Sequence, residues 1–175
     1  GAGVVRDVAM RGYSTVLLDR ADLGQGTTAR FHGLLHSGGR YVVSDPLSAT
    51  ECAQENAILT RIQASAIETT GGYFVTCPGD DPAFADKFLE GALATGVPAQ
   101  EIPVAQALKA EPRLNPGLLR AIEVQDGSVD GWQLVWGAAN SARAYGAQIL
   151  TYHKVTKITR DGNRVAAVHC LDLKN

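Results

Sequence analysis

The sequence lacks three features that would assign it to a class directly. Its formal charge is only −2 and no long run of lysine and arginine occurs, so nothing predicts binding to nucleic acid or a polybasic membrane anchor. No apolar stretch approaches the roughly 20 residues that span a bilayer. The three cysteines, Cys52, Cys77 and Cys170, are widely spaced, which predicts neither a disulfide framework nor a metal site. Their pattern favours reduced thiols and therefore a cytosolic setting.

What is present is an ordinary globular composition. Of the 175 residues, 45% are hydrophobic and 19% are charged, so the chain is long enough for one core, or for one domain and part of another. Helical and strand patterns alternate from the start. Gly3 to Arg11 is predicted to be a helix, and Thr15 to Leu18 a short strand buried on both faces.

Acidic N-caps mark three further helices, at Asp45, Asp81 and Asp130, and Gln133 completes a capping box with the last of these. The helix after Asp81 is expected to bury Phe84, Phe88 and Leu93. Strands are predicted at 72–76, 118–124 and, as three pieces, within 147–172. A mixed block between two nucleotide-domain segments predicts a cofactor-binding domain of 1–66 and 126–175, with 67–125 as part of a substrate domain.

The beginning of the chain has the pattern of a dinucleotide fold. Glycines let a backbone approach a pyrophosphate at a helix N-terminus, and an acid after the next strand binds ribose hydroxyls. Gly1-Ala2-Gly3 opens the first helix, and Asp19 follows its strand at the spacing expected from the last glycine of such a motif. Taken alone, this start is also compatible with a helix that binds no cofactor.

The downstream sequence is more specific. Residues 22–30 (DLGQGTTAR) precede 32–41 (HGLLHSGGRY), and 51–59 (ECAQENAIL) and 126–130 (DGSVD) follow. Here the chain resembles the FAD-dependent glycerol-3-phosphate dehydrogenases, nearest to the A subunit of the anaerobic bacterial enzymes. The resemblance implies an α/β fold, with an FAD-binding Rossmann-like domain of the glutathione-reductase type that lacks its first strand here, and an inserted α+β substrate-domain portion.

The resemblance also implies residue roles toward FAD. Gly1 and Gly3 match glycines at the pyrophosphate, and Thr27 and Thr28 match hydroxyl residues near it. Asp19 matches the acid that binds the adenosine ribose. Gly33, Leu34 and His36 match the segment beside the flavin, and the backbone of Val155 matches a position at the adenine.

Arg40 and Tyr41 match residues that line the substrate site, and a guanidinium suits a phosphomonoester because its planar fork makes two parallel charge-assisted bonds. The alternative for Arg40 is a surface arginine. His36 is a candidate for a flavin contact, a proton relay or a structural histidine. The catalytic base therefore stays unknown, and His36 is a candidate for it.

The implied activity of the parent protein is oxidation of sn-glycerol 3-phosphate to dihydroxyacetone phosphate, with electrons passed to quinone directly or through partner subunits. The parent is then expected in the cytoplasm, peripheral to the inner face of the plasma membrane. Two alternatives remain: another flavoenzyme of the group, such as a 2-hydroxyacid or amino-acid oxidase, or a folded but inactive fragment. As written, the chain is expected to bind FAD weakly or not at all, and its unpaired sheet edges favour self-association.

Overall fold

The computed structural model describes residues 1–174. Helices and strands alternate along the described chain, with three short 3-10 helices between them. The α-helices are α1 (Ala2–Met10), α2 (Pro46–Ile62), α3 (Ala83–Thr95), α4 (Val104–Ala110) and α5 (Gly131–Ala144). The strands are β1 (Val16–Leu18), β2 (Leu34–Leu35), β3 (Ile67–Glu68), β4 (Gly72–Thr76), β5 (Ala99–Ile102), β6 (Arg120–Val124), β7 (Gly127–Val129), β8 (Gln148–Leu150), β9 (His153–Asp161) and β10 (Arg164–Asp172).

Local sequence chemistry accounts for several of these boundaries. Asp45 caps α2 by accepting a hydrogen bond from the Ser48 backbone N–H, and Pro46 occupies the first helical position, where no N–H is needed. The carboxylate of Asp130 accepts from the backbone N–H groups of Trp132 and Gln133 at the start of α5. These two helix starts were predicted from the sequence and are confirmed. The third predicted N-cap, Asp81, is wrong, because α3 begins at Ala83 with Pro82 as its N-cap.

The chain forms two compact units, of which the first combines Gly1–His32 with the segment from Asp130 onward. Its centre is the parallel pair β1–β8, covered by apolar side chains of α1 and α5. β9 and β10 form an antiparallel hairpin joined by a turn at Gly162-Asn163. Parallel strands joined through helices are the expected Rossmann-like α/β arrangement, which is confirmed. The buried cluster of this unit is Val5, Ala9, Ala142 and Ala147, with Leu17 and Ile149 packed against it.

The second unit, Gly33–Val129, contains two three-stranded antiparallel sheets, β2-β7-β3 and β4-β6-β5. Its main buried cluster is centred on Phe88 and includes Val42 and Ala49. Because α2 contributes Ala49 to this cluster, residues 33–66 pack with the rest of this unit rather than with the first. The domain boundary predicted between residues 66 and 67 therefore differs from the start of this unit at Gly33. The boundary predicted between residues 125 and 126 lies close to the end of the unit at Val129. The functional assignment of 33–66 to cofactor binding stays a prediction.

One expectation about the core is wrong. α3 buries Phe88, but Phe84 is 51% exposed and Leu93 is 87% exposed. The buried face of α3 instead uses positions spaced by three and four residues, which lie on one side of the helix. Small side chains hold most of that face: Ala85, Phe88, Ala92 and Thr95.

Gly91 marks a close approach of α3 to the backbone at Val42. A Cβ at position 91 would overlap the Val42 carbonyl oxygen and lie 3.0 Å from its carbonyl carbon. We expect Gly91→Ala to lower the free energy of unfolding by about 1–3 kcal/mol, because neither backbone can move without disturbing the core. Urea denaturation checks this. Gly26→Ala, whose Cβ would meet nothing within 4 Å, should change stability by less than about 0.5 kcal/mol. Equal losses in the two variants would contradict this account.

Candidate functional site: nucleotide and substrate segments

The start of α1 and Asp19 occupy neighbouring parts of the first unit. Gly1 is the N-cap of α1 and provides no side-chain cap, so the first helical N–H groups have no side-chain acceptor at this position. A Cβ at Gly1 would lie 3.5 Å from Cδ1 of Leu17, two residues before Asp19, and a Cβ at Gly3 would meet nothing within 4 Å. The helix start is therefore packed against the strand that leads into Asp19.

The backbone of Asp19 extends the β1–β8 pairing beyond the end of β1. Its N–H donates to the Leu150 carbonyl at 3.0 Å, and its carbonyl accepts from the His153 N–H at 2.7 Å. Its Oδ1 accepts from the Ala21 N–H at 2.9 Å. Asp19 thus lies at the carboxyl end of a parallel strand, where open α/β sheets bind ligands.

Thr27 and Thr28 lie in a 3-10 helix, Thr27–Ala29, beside the start of α5. The contact is tight, because a Cβ at Gly131 would lie 2.6 Å from Cε1 of Phe31 and 3.1 Å from the Thr28 carbonyl oxygen. Thr27 is exposed and Thr28 half-buried. Val155, the predicted adenine contact, lies on β9 opposite Cys170. The roles of these residues toward a cofactor stay predictions.

In the second unit, β2 is held by pairing with β7, where Leu34 faces Ser128 and Leu35 faces Gly127. The Gly33 carbonyl accepts from the Val129 N–H at 2.8 Å. The predicted flavin segment therefore runs along a defined sheet edge rather than a loose loop.

Two buried glycines shape the turn that presents Arg40 and Tyr41. Gly38 has φ +100°, and a Cβ there would lie 2.5 Å from the Ala49 carbonyl oxygen. A Cβ at Gly39 would lie 2.9 Å from Cε2 of Phe74. Only glycine fits both positions, so the chain turns over the core and the next two side chains remain outside.

Arg40 is exposed, and within residues 1–174 its guanidinium makes no hydrogen bond or ion pair. Tyr41 is 43% exposed in the same 3-10 helix, Gly39–Tyr41. The guanidinium of Arg40 has no partner in the described part of the chain, and its backbone is fixed. It is therefore suited to binding an anion through two parallel hydrogen bonds.

His36 is joined to a carboxylate that the sequence motifs did not connect with it. His36 Nδ1 lies 3.0 Å from Oδ2 of Asp126. The other oxygen of Asp126 accepts from the Ser37 N–H at 2.7 Å and from the Ser37 hydroxyl at 2.6 Å. Asp126 belongs to the recognised DGSVD stretch, but the pairing spans 90 positions and depends on strand register, which the sequence does not display.

These contacts shift the pKa of Asp126. Burial of the carboxyl acts to raise its pKa, but the hydrogen bonds from the Ser37 hydroxyl, the His36 ring and the Ser37 N–H outweigh burial and lower the pKa below its ordinary 3.8. The contribution of this carboxylate to stability is therefore fully present above about pH 4 and is lost as pH falls through the lowered folded pKa.

We expect the stability difference between the wild-type protein and Asp126→Asn to shrink as pH falls from about 6 to about 3, since the charged acceptor is then lost in both proteins. Urea midpoints of the two proteins across that range check this. A difference that stays constant would show that the charge of Asp126 does not stabilise the fold.

The predicted site residues divide between the two units. The glycines, Asp19, the threonines and Val155 belong to the first unit; Gly33, Leu34, His36, Arg40 and Tyr41 belong to the second. A cavity of about 460 Å³ in the second unit, lined by residues such as Thr69, Gln100 and Glu123, includes none of them. Within residues 1–174, no cluster of three or more His, Cys, Asp or Glu side chains could hold a metal, and no helix is long and apolar enough to cross a bilayer.

Comparison with known proteins places the chain in a family. Residues 1–174 match the family described as FAD dependent oxidoreductase. The chain is 45% identical over 168 residues to the A subunit of the anaerobic glycerol-3-phosphate dehydrogenase from Escherichia coli K12, covering 96% of this chain but only 31% of that protein. The chain thus spans less than a third of the length of that curated relative.

Solved structures show the same fold. The L-proline dehydrogenase from P. horikoshii superposes with a TM-score of 0.83 at 20% identity, covering 97% of this chain and 46% of that one. The glycerol-3-phosphate dehydrogenase from Bacillus halodurans, solved with FAD, superposes with a TM-score of 0.66 at 21% identity, covering 98% and 28%. On the family match over nearly its whole length, and on this fold, the chain belongs to the FAD-dependent oxidoreductases.

Proposed function

We propose that the protein oxidises sn-glycerol 3-phosphate to dihydroxyacetone phosphate. The 45% identity to the anaerobic dehydrogenase supports this choice within the family. The observation that carries it is Arg40, an exposed guanidinium with no partner within residues 1–174, held by the Gly38-Gly39 turn. The phosphate monoester of the substrate can accept two parallel charge-assisted hydrogen bonds from such a fork.

The residues of the first unit fit FAD. The start of α1 has no Cβ at Gly1 or Gly3, so no side chain at these two positions keeps a pyrophosphate from the backbone N–H groups. Asp19 offers a carboxylate at the carboxyl end of β1 for ribose hydroxyls. When bound, FAD supplies the two-electron acceptor for the hydride of the substrate.

The second candidate is oxidation of an amino acid or a 2-hydroxyacid. Structures such as the L-proline dehydrogenase resemble this chain at about 20% identity, which shows a common fold and does not indicate a common substrate. Arg40 also suits a carboxylate. The two candidates therefore differ in the anionic group that Arg40 would bind, which is a phosphate monoester in one and a carboxylate in the other.

Anaerobic flavin reduction by the full-length protein separates the candidates. We expect sn-glycerol 3-phosphate to bleach the oxidised flavin absorbance, whereas 2-hydroxyglutarate, L-proline and glycine should leave it unchanged at the same concentration. The mirror-image sn-glycerol 1-phosphate is the matched control, because it has the same charge and atoms but presents its C2 hydrogen differently. Reduction by an amino acid or 2-hydroxyacid alone would refute the proposal.

The fate of the electrons is part of the same proposal. The name of the Escherichia coli relative describes one component of a larger enzyme, which supports electron transfer through partner subunits. We propose quinone as the final acceptor and a cytoplasmic location at the inner face of the membrane. We also propose that the 175 residues alone do not turn over the substrate, since they span less than a third of that relative.

A further inference from the structure

The contact between His36 and Asp126 follows from strand pairing. β2 and β7 are antiparallel, with Leu35 opposite Gly127, so the next pair along the ladder is His36 opposite Asp126. This register places the imidazole Nδ1 3.0 Å from Asp126 Oδ2. A shift by one residue would turn one of the two side chains to the other face of the sheet.

The Asp126 carboxylate is itself held in place. Ser37, which is 1% exposed, donates to Oδ1 from both its backbone N–H and its hydroxyl, at 2.7 and 2.6 Å. The Asp126 carbonyl accepts from the Gly71 N–H at 2.9 Å. A Cβ at Gly72 would lie 3.3 Å from the Asp126 Cβ, so a side chain at position 72 would crowd Asp126. The carboxylate is therefore fixed on its Ser37 side and presents Oδ2 to the histidine.

We propose that Asp126 is a positioning residue that keeps the His36 proton on Nδ1 and makes Nε2 the nitrogen that accepts the hydroxyl proton of the substrate. This inference rests on the proposed function. A carboxylate can only accept a hydrogen bond, so a neutral imidazole beside it must place its N–H on Nδ1 and its lone pair on Nε2. In the oxidation, Nε2 would accept the C2 hydroxyl proton as the C2–oxygen double bond forms, and bound FAD would supply the acceptor for the C2 hydride and its electron pair.

The imidazolium formed in that step would be stabilised by the same carboxylate. The charge appears within hydrogen-bond distance of Oδ2, which is already oriented before the reaction. Ser37 contributes indirectly, because its two hydrogen bonds keep the carboxylate from rotating away. The competing explanation is that the pair only ties β2 to β7.

Asp126→Asn distinguishes the two explanations. The amide oxygen can keep both Ser37 hydrogen bonds, but its NH₂ then faces Nδ1 and forces the imidazole proton onto Nε2. We expect anaerobic flavin reduction of the full-length protein by saturating sn-glycerol 3-phosphate to slow by about 100-fold, within the range for loss of general-base catalysis. Substrate affinity should change by less than about threefold.

A double-mutant cycle with His36→Gln isolates the path of the effect. In the His36→Gln background, Asp126→Asn should slow reduction by less than about threefold, since the group it positions is already gone. An equal slowing in both backgrounds would overturn the proposal and leave Asp126 a structural link.

The position of the proton can also be measured without a variant. In the full-length protein labelled with ¹⁵N-histidine, and with His36→Gln used to assign the signals, we expect His36 in the Nδ1–H tautomer. Finding the Nε2–H tautomer in the wild-type protein would overturn the inference. If sn-glycerol 3-phosphate fails to reduce the flavin while the Nδ1–H tautomer is present, the proposed substrate is wrong and the placement of the proton by Asp126 stands.

Discussion

Replacing Arg40 by alanine is expected to lower kcat/KM for sn-glycerol 3-phosphate by about 1,000-fold in the full-length protein. Two charge-assisted hydrogen bonds of about 1.5–3 kcal/mol each account for this, because each 1.4 kcal/mol corresponds to a tenfold change. The loss should be large because the Gly38-Gly39 turn fixes the backbone before the substrate arrives, so little ordering is needed at binding. Steady-state kinetics measures the effect.

Two variants control for nonspecific effects of losing a positive charge. Arg40→Lys keeps the charge but not the planar fork, and should retain part of the activity, with a loss of about 10- to 100-fold. Arg61→Ala removes an exposed arginine from α2 and should change kcat/KM by less than about threefold. If Arg40→Ala behaves like Arg61→Ala, Arg40 is only a surface arginine and the proposed phosphate contact is wrong.

The parts of the fold that the sequence predicted are those set by local chemistry. Asp45 and Asp130 cap their helices with the hydrogen bonds that their spacing suggested. The exposure of Phe84 and Leu93 could not be inferred in this way. Helical periodicity shows which residues share a face, but the packing partner decides which of several apolar faces is buried.

The candidate site was predictable to the extent that its motifs are contiguous. The stretch 32–41 contains His36, the two glycines and Arg40, and the structure shows why both glycines are required there. The connection from His36 to Asp126 was not predictable, because it spans 90 positions and requires the pairing of two very short strands. The same non-local packing places α2 with the second unit through Ala49.

Asp19 is the residue on which the cofactor assignment depends most. Its backbone is fixed by hydrogen bonds to Leu150 and His153, and its Oδ1 is oriented by the Ala21 N–H. A carboxylate held in this way can accept hydrogen bonds from ribose hydroxyls without reorganisation. Loss of hydrogen bonds to a charged group costs about 1.5–3 kcal/mol, so Asp19→Ala should weaken FAD binding by about 100-fold.

Asp22 provides the matched control. It lies in the same connection and also accepts a hydrogen bond from a neighbouring backbone N–H, that of Leu23 at 2.8 Å. Asp22→Ala removes the same charge and a similar local contact, but not the acid at the end of β1. We expect it to change FAD affinity by less than about threefold.

Calorimetric titration of FAD into the full-length apoprotein shows whether α1 and Asp19 bind the adenosine diphosphate part of FAD. We expect tight binding by the wild-type protein and by Asp22→Ala, and a dissociation constant about 100-fold higher for Asp19→Ala. Equal affinities of the wild-type protein and Asp19→Ala would show that the Asp19 carboxylate does not bind the cofactor.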